Sequence, residues 1–283
     1  MVTMEVRNRM TENLSAWEKV EIARNPYRKT SLDYIEKIFD EFIELQGDRL
    51  YGEDASFVCG LARLKNQNVT IIAEQKGRNT KENMKRNFGM PNPEGYRKAI
   101  RMMKQAEKFG RPIITFVDTK GAYPGIGAEE RGQGEAIAKS MFEMSKLQVP
   151  IITIVIGEGS SGGALAISIA NKIYMLENAI YSILSPEGYA SILWKDSSRV
   201  KEAAEKMKLT AKDLYDFKII DTIIKENTSD EVNEEEFERI AQDMQKQIIK
   251  DLTKLEKMAK EEILENRYRK FRNIGEYKTI RSE

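Results

Sequence analysis

The stretch Ile113-Ile-Thr-Phe-Val-Asp118 is followed at once by Thr119-Lys-Gly-Ala-Tyr-Pro-Gly-Ile-Gly127, which joins a run of β-branched residues to a glycine-rich loop. A second stretch repeats the arrangement, because Ile151-Ile-Thr-Ile-Val-Ile156 leads into Gly157-Glu-Gly-Ser-Ser-Gly-Gly-Ala164. β-Branched runs bounded by glycine are typical of strands. Ligands of α/β proteins bind beyond the carboxyl ends of the strands. The two loops therefore predict a binding site at one edge of a sheet.

Other segments extend this pattern on both sides of the two strands. Further strand candidates are Val69–Glu74 and the shorter Ile173–Leu176 and Ile219–Ile224. Apolar residues between the strands recur at helical spacing: Tyr96, Ile100, Met103 and Ala106, and then Ile137, Met141, Met144 and Leu147. Apolar strands that alternate with helices indicate a largely parallel sheet covered on both faces. The predicted fold class is α/β.

Charge divides the sequence into a middle and two ends. Residues 111–190 hold 14 charged residues in 80, whereas residues 225–283 hold 28 in 59. We predict a helical extension over 1–50, a core over 51–230 and a helical extension over 231–283. The last extension carries one apolar stripe at helical spacing, which packs on the body or a neighbouring subunit, or else is a dedicated helix for binding a partner. Its members are Phe237, Ile240, Met244, Ile248, Leu252, Leu255, Met258 and Ile263.

Composition excludes several classes of function. The 283 residues include 46 basic and 45 acidic side chains, so the net charge of +1 gives no general basic surface for nucleic acid or anionic membrane. The absence of histidine excludes a Ser-His-Asp triad and any His-ligated metal site. One cysteine, Cys59, permits neither an internal disulfide nor a Cys-rich zinc site. No stretch resembles a targeting signal or the roughly 20 apolar residues of a membrane span, so we expect a cytoplasmic protein.

The second glycine loop fits two familiar motifs imperfectly. Gly157-x-Gly159-x-x-Gly162, with Glu177 twenty residues beyond its start, matches a dinucleotide fingerprint, but that fingerprint normally opens the fold. The G-x-S-x-G pattern centred on Ser161 would make this serine a nucleophile, yet no histidine is available as its base. Backbone amides at a glycine turn can instead stabilise an oxyanion without a titratable side chain. Such a site suits enolate chemistry on a thioester.

Four long segments carry a resemblance to a known family: Lys76–Ala99, Asp118–Ala138, Gly157–Ile167 and Ser185–Lys195. They resemble the carboxyltransferase alpha subunits of bacterial acetyl-CoA carboxylases, in order, over about residues 25–270. The resemblance implies a crotonase-like fold, a spiral of ββα units, with helical N- and C-terminal extensions. It also implies transfer of a carboxyl group from carboxybiotin, held on a carrier protein, to acetyl-CoA. The product would be malonyl-CoA for fatty acid synthesis.

The resemblance also implies which residues act. The amides of the catalytic oxyanion hole on the biotin side would come from Gly162, Gly163 and Ala164. Substrate-binding positions would be Gly121, Ala122, Tyr123, Gly125, Gly159 and Ser161. Lys120 stands where the family usually has proline. A basic segment either contacts anions, such as CoA phosphates or the carrier protein, or is a solvated loop; its residues are Lys76, Arg78, Lys81, Lys85 and Arg86.

The family resemblance finally implies partners. Its alpha subunits work with a beta subunit that carries the CoA-side oxyanion hole and a Cys₄ zinc ribbon, so we expect zinc in the partner and no metal in this chain. A biotin carboxyl carrier protein and a biotin carboxylase complete the system, and two alpha and two beta chains are the expected assembly. Carboxylation of another acyl-CoA, or a non-catalytic scaffold role, stays open on the sequence.

Overall fold

The predicted strands form part of one sheet in the computed structural model, which describes residues 14–226 and 233–275. The strands are β1 (Glu41–Glu44), β2 (Phe57–Leu64), β3 (Gln67–Glu74), β4 (Ile113–Thr119), β5 (Ile151–Ser160), β6 (Lys172–Leu176), β7 (Ile180–Ser182) and β8 (Thr222–Ile224). Among the described residues their order is β1-β2-β3-β4-β5-β6-β8, and β7 pairs with the end of β5. The two glycine loops thus follow adjacent strands in the middle of the sheet.

Helices surround this sheet. They are α1 (Ala16–Ala23), α2 (Ser31–Ile38), α3 (Thr80–Lys85), α4 (Pro93–Lys108), α5 (Ile126–Glu130), α6 (Gln133–Lys146), α7 (Ser161–Leu165), α8 (Pro186–Tyr189), α9 (Val200–Met207), α10 (Ala211–Asp216), α11 (Glu234–Leu255) and α12 (Lys260–Arg272). A π-helical turn, Ala190–Trp194, continues α8, and single 3₁₀ turns occur at Asn87–Gly89 and Ser197–Arg199. Within the described residues, no helix is both long and apolar enough to cross a membrane.

The centre of the sheet is parallel, as predicted, and its first three strands are antiparallel. Strands β3, β4, β5, β6 and β8 pair in parallel, whereas β1 with β2 and β2 with β3 pair antiparallel. Ile71, Ile114 and Ile152 lie in register across three strands and are fully buried. The α/β prediction is confirmed. The sequence analysis missed β2, because Phe57–Leu64 contains a single β-branched residue, Val58.

Two predicted strand limits were wrong. The sequence placed the end of the fifth strand at Ile156, but β5 continues to Ser160 because β7 pairs with Glu158–Ser160 and supplies backbone partners there. The last strand was predicted from Ile219, but it begins at Thr222. The amide of Ile219 donates instead to the carbonyl of Leu214, 2.9 Å away, which closes the end of α10. Backbone hydrogen bonding therefore sets the end of β5 and the start of β8.

The two helices predicted between the strands are present as α4 and α6. Tyr96, Ile100, Met103 and Ala106 are all buried along α4, as their spacing predicts. The buried face of α6 is more polar than the spacing of its large apolar residues indicates. Its members are Gln133, Ala136, Ser140 and Met144, while Ile137 and Met141 are half-buried.

The C-terminal apolar stripe packs on the body of the molecule. It belongs to two helices, α11 and α12, rather than to one, because the chain leaves helical geometry between Glu256 and Ala259. Its buried members are Phe237, Ile240, Met244, Ile248, Leu252, Leu255 and Ile263, whereas Met258 lies at the break and is exposed. The stripe is therefore core, and of the predicted alternatives packing on the body is the one that the structure contains.

The proposed division at residues 50 and 230 stays a prediction, with one difference inside the first part. Residues 1–50 were expected to be helical, and those described include α1 and α2 but also β1. β1 forms the edge of the sheet, and the Phe42 ring packs over Gly60 of β2, where a Cβ atom would come within 2.6 Å of it. Residues 1–13, 227–232 and 276–283 lie outside the described part.

Arg267 joins α12 to the end of α6. Its side chain is 1% exposed. Nη1 donates to the carbonyls of Met144 (3.0 Å) and Leu147 (2.7 Å), and Nη2 donates to the carbonyl of Val149 (2.9 Å) and to Oδ1 of Asn171 (2.9 Å). Burial lowers the pKa of Arg267 to about 10. The charge is retained because carbonyls at a helix C-terminus attract a cation.

We predict that Arg267→Ala lowers the free energy of unfolding by about 3 kcal/mol, because it leaves buried carbonyl oxygens without donors. Urea denaturation measures the change. The matched control is Arg269→Ala on the same helix, whose side chain is 72% exposed and pairs with Glu265; it should change stability by less than about 0.5 kcal/mol. Equal losses in the two variants would contradict the structural role of Arg267.

Candidate functional site

The two glycine-rich segments meet at the carboxyl ends of β4 and β5. We call residues Lys120–Gly125 the first loop and residues Ser161–Ala164 the glycine turn. β4 and β5 pair in parallel, and their register shifts after Val117 so that Thr119 faces Gly159. The shift brings the backbones of both segments to the same edge of the sheet. The two segments are therefore neighbours in the structure, as the sequence predicts.

Gly163 lies directly against the backbone of the first loop. A Cβ atom on Gly163 would come within 2.7 Å of the amide nitrogen of Ala122 and 2.8 Å of the carbonyl carbon of Gly121. Real Cβ atoms do not approach backbone this closely, and backbone atoms cannot turn aside as a flexible side chain can. Gly162 differs, because its nearest neighbour would be Cγ2 of Ile137 at 3.3 Å. Glycine is required at position 163 for packing.

The glycine turn is a sharp change from strand to helix at Ser161. Ser161 has a φ of +59°, in the left-handed region, and its side chain is exposed. The first amides of a helix have no acceptor within it, and the Ser160 side chain makes no capping hydrogen bond to α7. Strained residues that the surrounding structure holds in place cluster at functional sites. The Ser160 side chain therefore leaves the first N–H groups of α7 uncapped, and the sequence has no histidine that could activate Ser161.

The first loop is fixed by side chains around it. The Thr119 hydroxyl lies 2.9 Å from the carbonyl oxygen and 3.0 Å from the amide of Gly121. Nε2 of Gln133 donates to the carbonyl of Tyr123 at 3.0 Å, and the Tyr123 ring covers Gly125, where a Cβ atom would come within 2.4 Å of it. Lys120 is exposed. The contacts that hold the first loop are therefore made at Gly121, Tyr123 and Gly125.

An apolar hollow opens beside the glycine turn. Its volume is about 300 Å³. Ser161 and Gly162 form one wall, and a second wall includes Tyr181 and Ile183, which lie at and just after β7. Ile183 is 81% exposed, so the hollow opens at a surface that carries apolar side chains. A ligand with an apolar body and a hydrogen-bond acceptor would meet both kinds of surface here.

Two glycines before the turn serve packing within the sheet. Gly159, predicted to bind substrate, is buried in β5, where a Cβ atom would lie 3.0 Å from the Tyr181 ring and 3.2 Å from Val117. Gly157 faces Asp118, whose Oδ1 would be 2.3 Å from a Cβ atom there. The structure therefore places Gly159 beneath the site and not at its surface.

The basic segment is largely engaged with the protein itself. Nζ of Lys76 pairs with Oδ1 of Asp118 at 2.8 Å, and Arg78 pairs with Asp33. Nη1 of Arg86 donates to the carbonyl of Ala55 at 2.7 Å. Lys81 and Lys85, on α3, are exposed. Lys76 reaches the end of β4 beside the first loop, and anion binding by the segment stays a prediction.

Acidic residues at the strand ends lie beneath the loops. Oδ1 of Asp118 forms an ion pair with Nζ of Lys76 and accepts a hydrogen bond from the amide of Glu158 at 3.0 Å. The amide of Asp118 donates to Oε2 of Glu74 at 3.0 Å. Glu74 is fully buried, and its Oε1 has no partner among the described residues. Burial raises the pKa of Glu74 well above its usual range, although the Asp118 amide acts in the opposite direction.

Sequence reasoning missed an ion-pair cluster beside the site. Arg24, at the end of α1, holds the carboxylates of both Glu158 and Glu187. A signal for Glu158 was present, since a charged residue within an otherwise apolar strand demands a partner. No local pattern could identify Arg24, which lies 134 positions away.

A comparison with protein families matches residues 2–275 to the acetyl co-enzyme A carboxylase carboxyltransferase-like family. The chain belongs to this family. It is 55% identical over 267 residues to the acetyl-coenzyme A carboxylase carboxyl transferase subunit alpha of Clostridium acetobutylicum, covering 94% of this chain and 97% of that protein. It is also 55% identical over 277 residues to the subunits beta/alpha protein of Clostridium tetani, covering 98% of this chain and 48% of that protein. The resemblance found in the sequence is confirmed.

A solved structure with a similar fold is that of transcarboxylase 12S with hydrolysed methylmalonyl-coenzyme A bound. The TM-score is 0.65 at 20% identity, and the match covers 96% of this chain and 47% of that one. The crotonase-like family fold expected from the sequence is confirmed. Within residues 14–226 and 233–275, no group of three or more Asp, Glu or Cys side chains could hold a metal ion.

We predict that Glu74→Gln stabilises the protein more at pH 8 than at pH 5. When the pKa of a carboxyl group is higher in the folded state, the folded protein loses stability as pH rises. The loss extends from the unfolded-state pKa of about 4.3 through the folded-state pKa. Glutamine keeps an acceptor for the Asp118 amide and has no charge to bury. Thermal unfolding of wild type and variant at both pH values measures the difference.

The control is Glu135→Gln on α6, whose side chain is 74% exposed. Its melting temperature should differ from wild type by the same small amount at pH 5 and pH 8. A Glu74→Gln difference that did not grow with pH would show that Glu74 is ionised in the folded protein.

Proposed function

We propose that this protein is the alpha subunit of an acetyl-CoA carboxylase carboxyltransferase. It would transfer the carboxyl group of carboxybiotin to acetyl-CoA, giving malonyl-CoA for fatty acid synthesis, in the cytoplasm. The observation that carries the proposal is the backbone contact of Gly163 with Gly121 and Ala122, because it holds the glycine turn and its amides in one position. Relatives at 54–58% identity are named as this subunit.

The residues at the turn fit a biotin ring. The amides of Gly162, Gly163 and Ala164 would donate hydrogen bonds to the ureido oxygen as negative charge develops there, and preorganised donors of this kind stabilise transition states. The apolar hollow beside Ser161 would receive the apolar part of the ring and exclude water from it. Carboxybiotin, when bound, supplies the carboxyl group and a nitrogen that can accept the acetyl proton. No side chain of this protein is then needed as a base.

A second subunit would supply the other half of the site. The reaction develops charge on the ureido group and on the thioester, so two oxyanion holes must face each other, and we assign the glycine turn to the first. The beta/alpha name of the Clostridium tetani relative supports a beta partner for the second. We propose that this partner carries the zinc, that a biotin carboxyl carrier protein and a biotin carboxylase complete the system, and that two alpha and two beta chains assemble.

We predict that Gly163→Ala lowers malonyl-CoA decarboxylation with biocytin by at least about a hundredfold, the effect of one lost oxyanion-hole donor. The added methyl group must displace the amides at Ala122 or at the turn itself. Steady-state rates with the beta subunit present measure the loss, and circular dichroism confirms folding. The matched control is Gly134→Ala on α6, where nothing lies within 4 Å of the added atom. A Gly163→Ala rate near that of wild type would exclude catalysis by the glycine turn.

We also predict that the purified chain alone does not decarboxylate malonyl-CoA and that activity appears when a beta subunit is added. The reason is that the chain would supply only the biotin-side hole. The same assay, run with increasing amounts of beta subunit, should saturate at an equal number of chains. Full activity without a partner would refute the split site. Decarboxylation of methylmalonyl-CoA, the carboxylated form of propionyl-CoA, without decarboxylation of malonyl-CoA would show that the substrate is another acyl-CoA.

A further inference from the structure

We infer that Arg24 is a positioning residue of the candidate site, because its guanidinium holds both walls of the apolar hollow through Glu158 and Glu187. Arg24, Glu158 and Glu187 are not among the residues that line the hollow, so Arg24 acts on it through its partners. The assignment rests on the proposed function, in which a biotin ring enters the hollow. Arg24 would then act on the position of that ring.

The guanidinium group joins two carboxylates at once. Nε and Nη2 of Arg24 donate to Oε2 and Oε1 of Glu158 at 2.9 and 2.8 Å, a bidentate pair. Nη1 and Nη2 donate to Oε1 and Oε2 of Glu187 at 2.7 and 3.3 Å. The side chain of Glu158 is 2% exposed and that of Glu187 is 43% exposed. Only arginine has a planar set of donors that can satisfy two carboxylates in this way.

Glu158 connects the pair to the first wall of the hollow. It lies in β5, three residues before Ser161, and its amide donates to Oδ1 of Asp118 at 3.0 Å. The end of the strand is thus held on one side by the Asp118 carboxylate and on the other by Arg24. The left-handed backbone of Ser161 follows directly and needs a fixed strand end to persist.

Glu187 connects the pair to the second wall. It lies four residues after Ile183, in the short helix α8 that the Ser185 hydroxyl caps at 3.1 Å. Between Ser185 and Trp194 only Pro186 and Ala190 are buried. A segment with so few packed side chains opens readily. Its hydrogen bonds to Arg24 therefore matter more for its position than apolar packing does.

The charges of Arg24 and Glu187 persist across the neutral range. Burial acts to lower the pKa of Arg24, but the two carboxylates outweigh it and raise the pKa above its usual value. Burial acts to raise the pKa of Glu187, and the hydrogen bonds from Arg24 outweigh it and lower the pKa. Replacements at these positions consequently report on geometry and not on a change in protonation.

The test compares two arginine-to-lysine variants that lose the same chemical feature. Arg24→Lys is the test variant. Arg239→Lys is the control, because Arg239 on α11 also holds two carboxylates: Nε lies 2.9 Å from Oε2 of Glu236, and Nη1 lies 2.9 Å from Oδ2 of Asp243. Amide hydrogen exchange of residues 183–194 is measured in the isolated chain. The KM values for biocytin and malonyl-CoA are measured with the beta subunit present.

We expect Arg24→Lys to speed exchange in residues 183–194 by about tenfold, the scale of one lost charged hydrogen bond, while Arg239→Lys leaves it unchanged. The KM for biocytin should rise by a similar factor, and the KM for malonyl-CoA and kcat should change by less than about twofold. Glu187→Gln, which keeps the pair between Arg24 and Glu158, should reproduce both effects and serves if Arg24→Lys does not fold.

Unchanged exchange in residues 183–194 of these variants would overturn the tether. Faster exchange with an unchanged KM for biocytin would overturn the role in the site and reduce Arg24 to a link between α1 and the sheet. A wild-type complex without malonyl-CoA decarboxylation would instead refute the proposed function, and with it the biotin assignment, while the exchange measurement still decides whether Arg24 holds the segment.

Discussion

The close approach of two backbones at Gly163 is the constraint on which the site depends. The glycine turn and the first loop touch with no side chain between them, so each fixes the other. Every other anchor acts around this contact: Thr119 and Gln133 hold the first loop, and Asp118 joins the ends of β4 and β5. Catalysis by backbone amides requires donors that do not move when charge develops. A contact between backbones meets that requirement better than one between flexible side chains.

Acidic residues at the carboxyl ends of the strands create a second constraint. Buried carboxylates need partners, and those at the ends of β5 and β8 find them in residues 19–28, while the same segment also donates to a backbone carbonyl at the end of β6. Lys19 donates to the carbonyl of Glu177 at 3.0 Å, Arg24 pairs with Glu158, and Arg28 pairs with Glu226 at 3.0 Å. Residues 19–28, which include the end of α1, thus form a polar cover over three strand ends. The same cover places Arg24 beside the hollow.

Much of this structure could be predicted from local sequence. The β-branched runs at Ile113–Asp118 and Ile151–Ile156 identified the central strands, and the glycine loops after them located the site. Strand β2 was missed because its apolar run contains a single β-branched residue, Val58. Gly159 was assigned to ligand binding from the family resemblance, and sequence alone does not distinguish a glycine required for sheet packing from one required for a turn. The buried hydrogen bonds of Arg267 and Arg24 were not predicted, because their partners are carbonyls and carboxylates far away in the chain.

The cover formed by residues 19–28 has a consequence for how the protein is made. Its hydrogen bonds reach partners 128 to 198 positions later in the chain, from Ile156 to Glu226. A ribosome delivers these partners long after the segment itself has emerged. The antiparallel strands β1, β2 and β3 are contiguous and can pair early, whereas contacts of long range form slowly. We expect residues 19–28 to dock last during synthesis, and the site beneath them to be completed only when nearly the whole chain has left the ribosome.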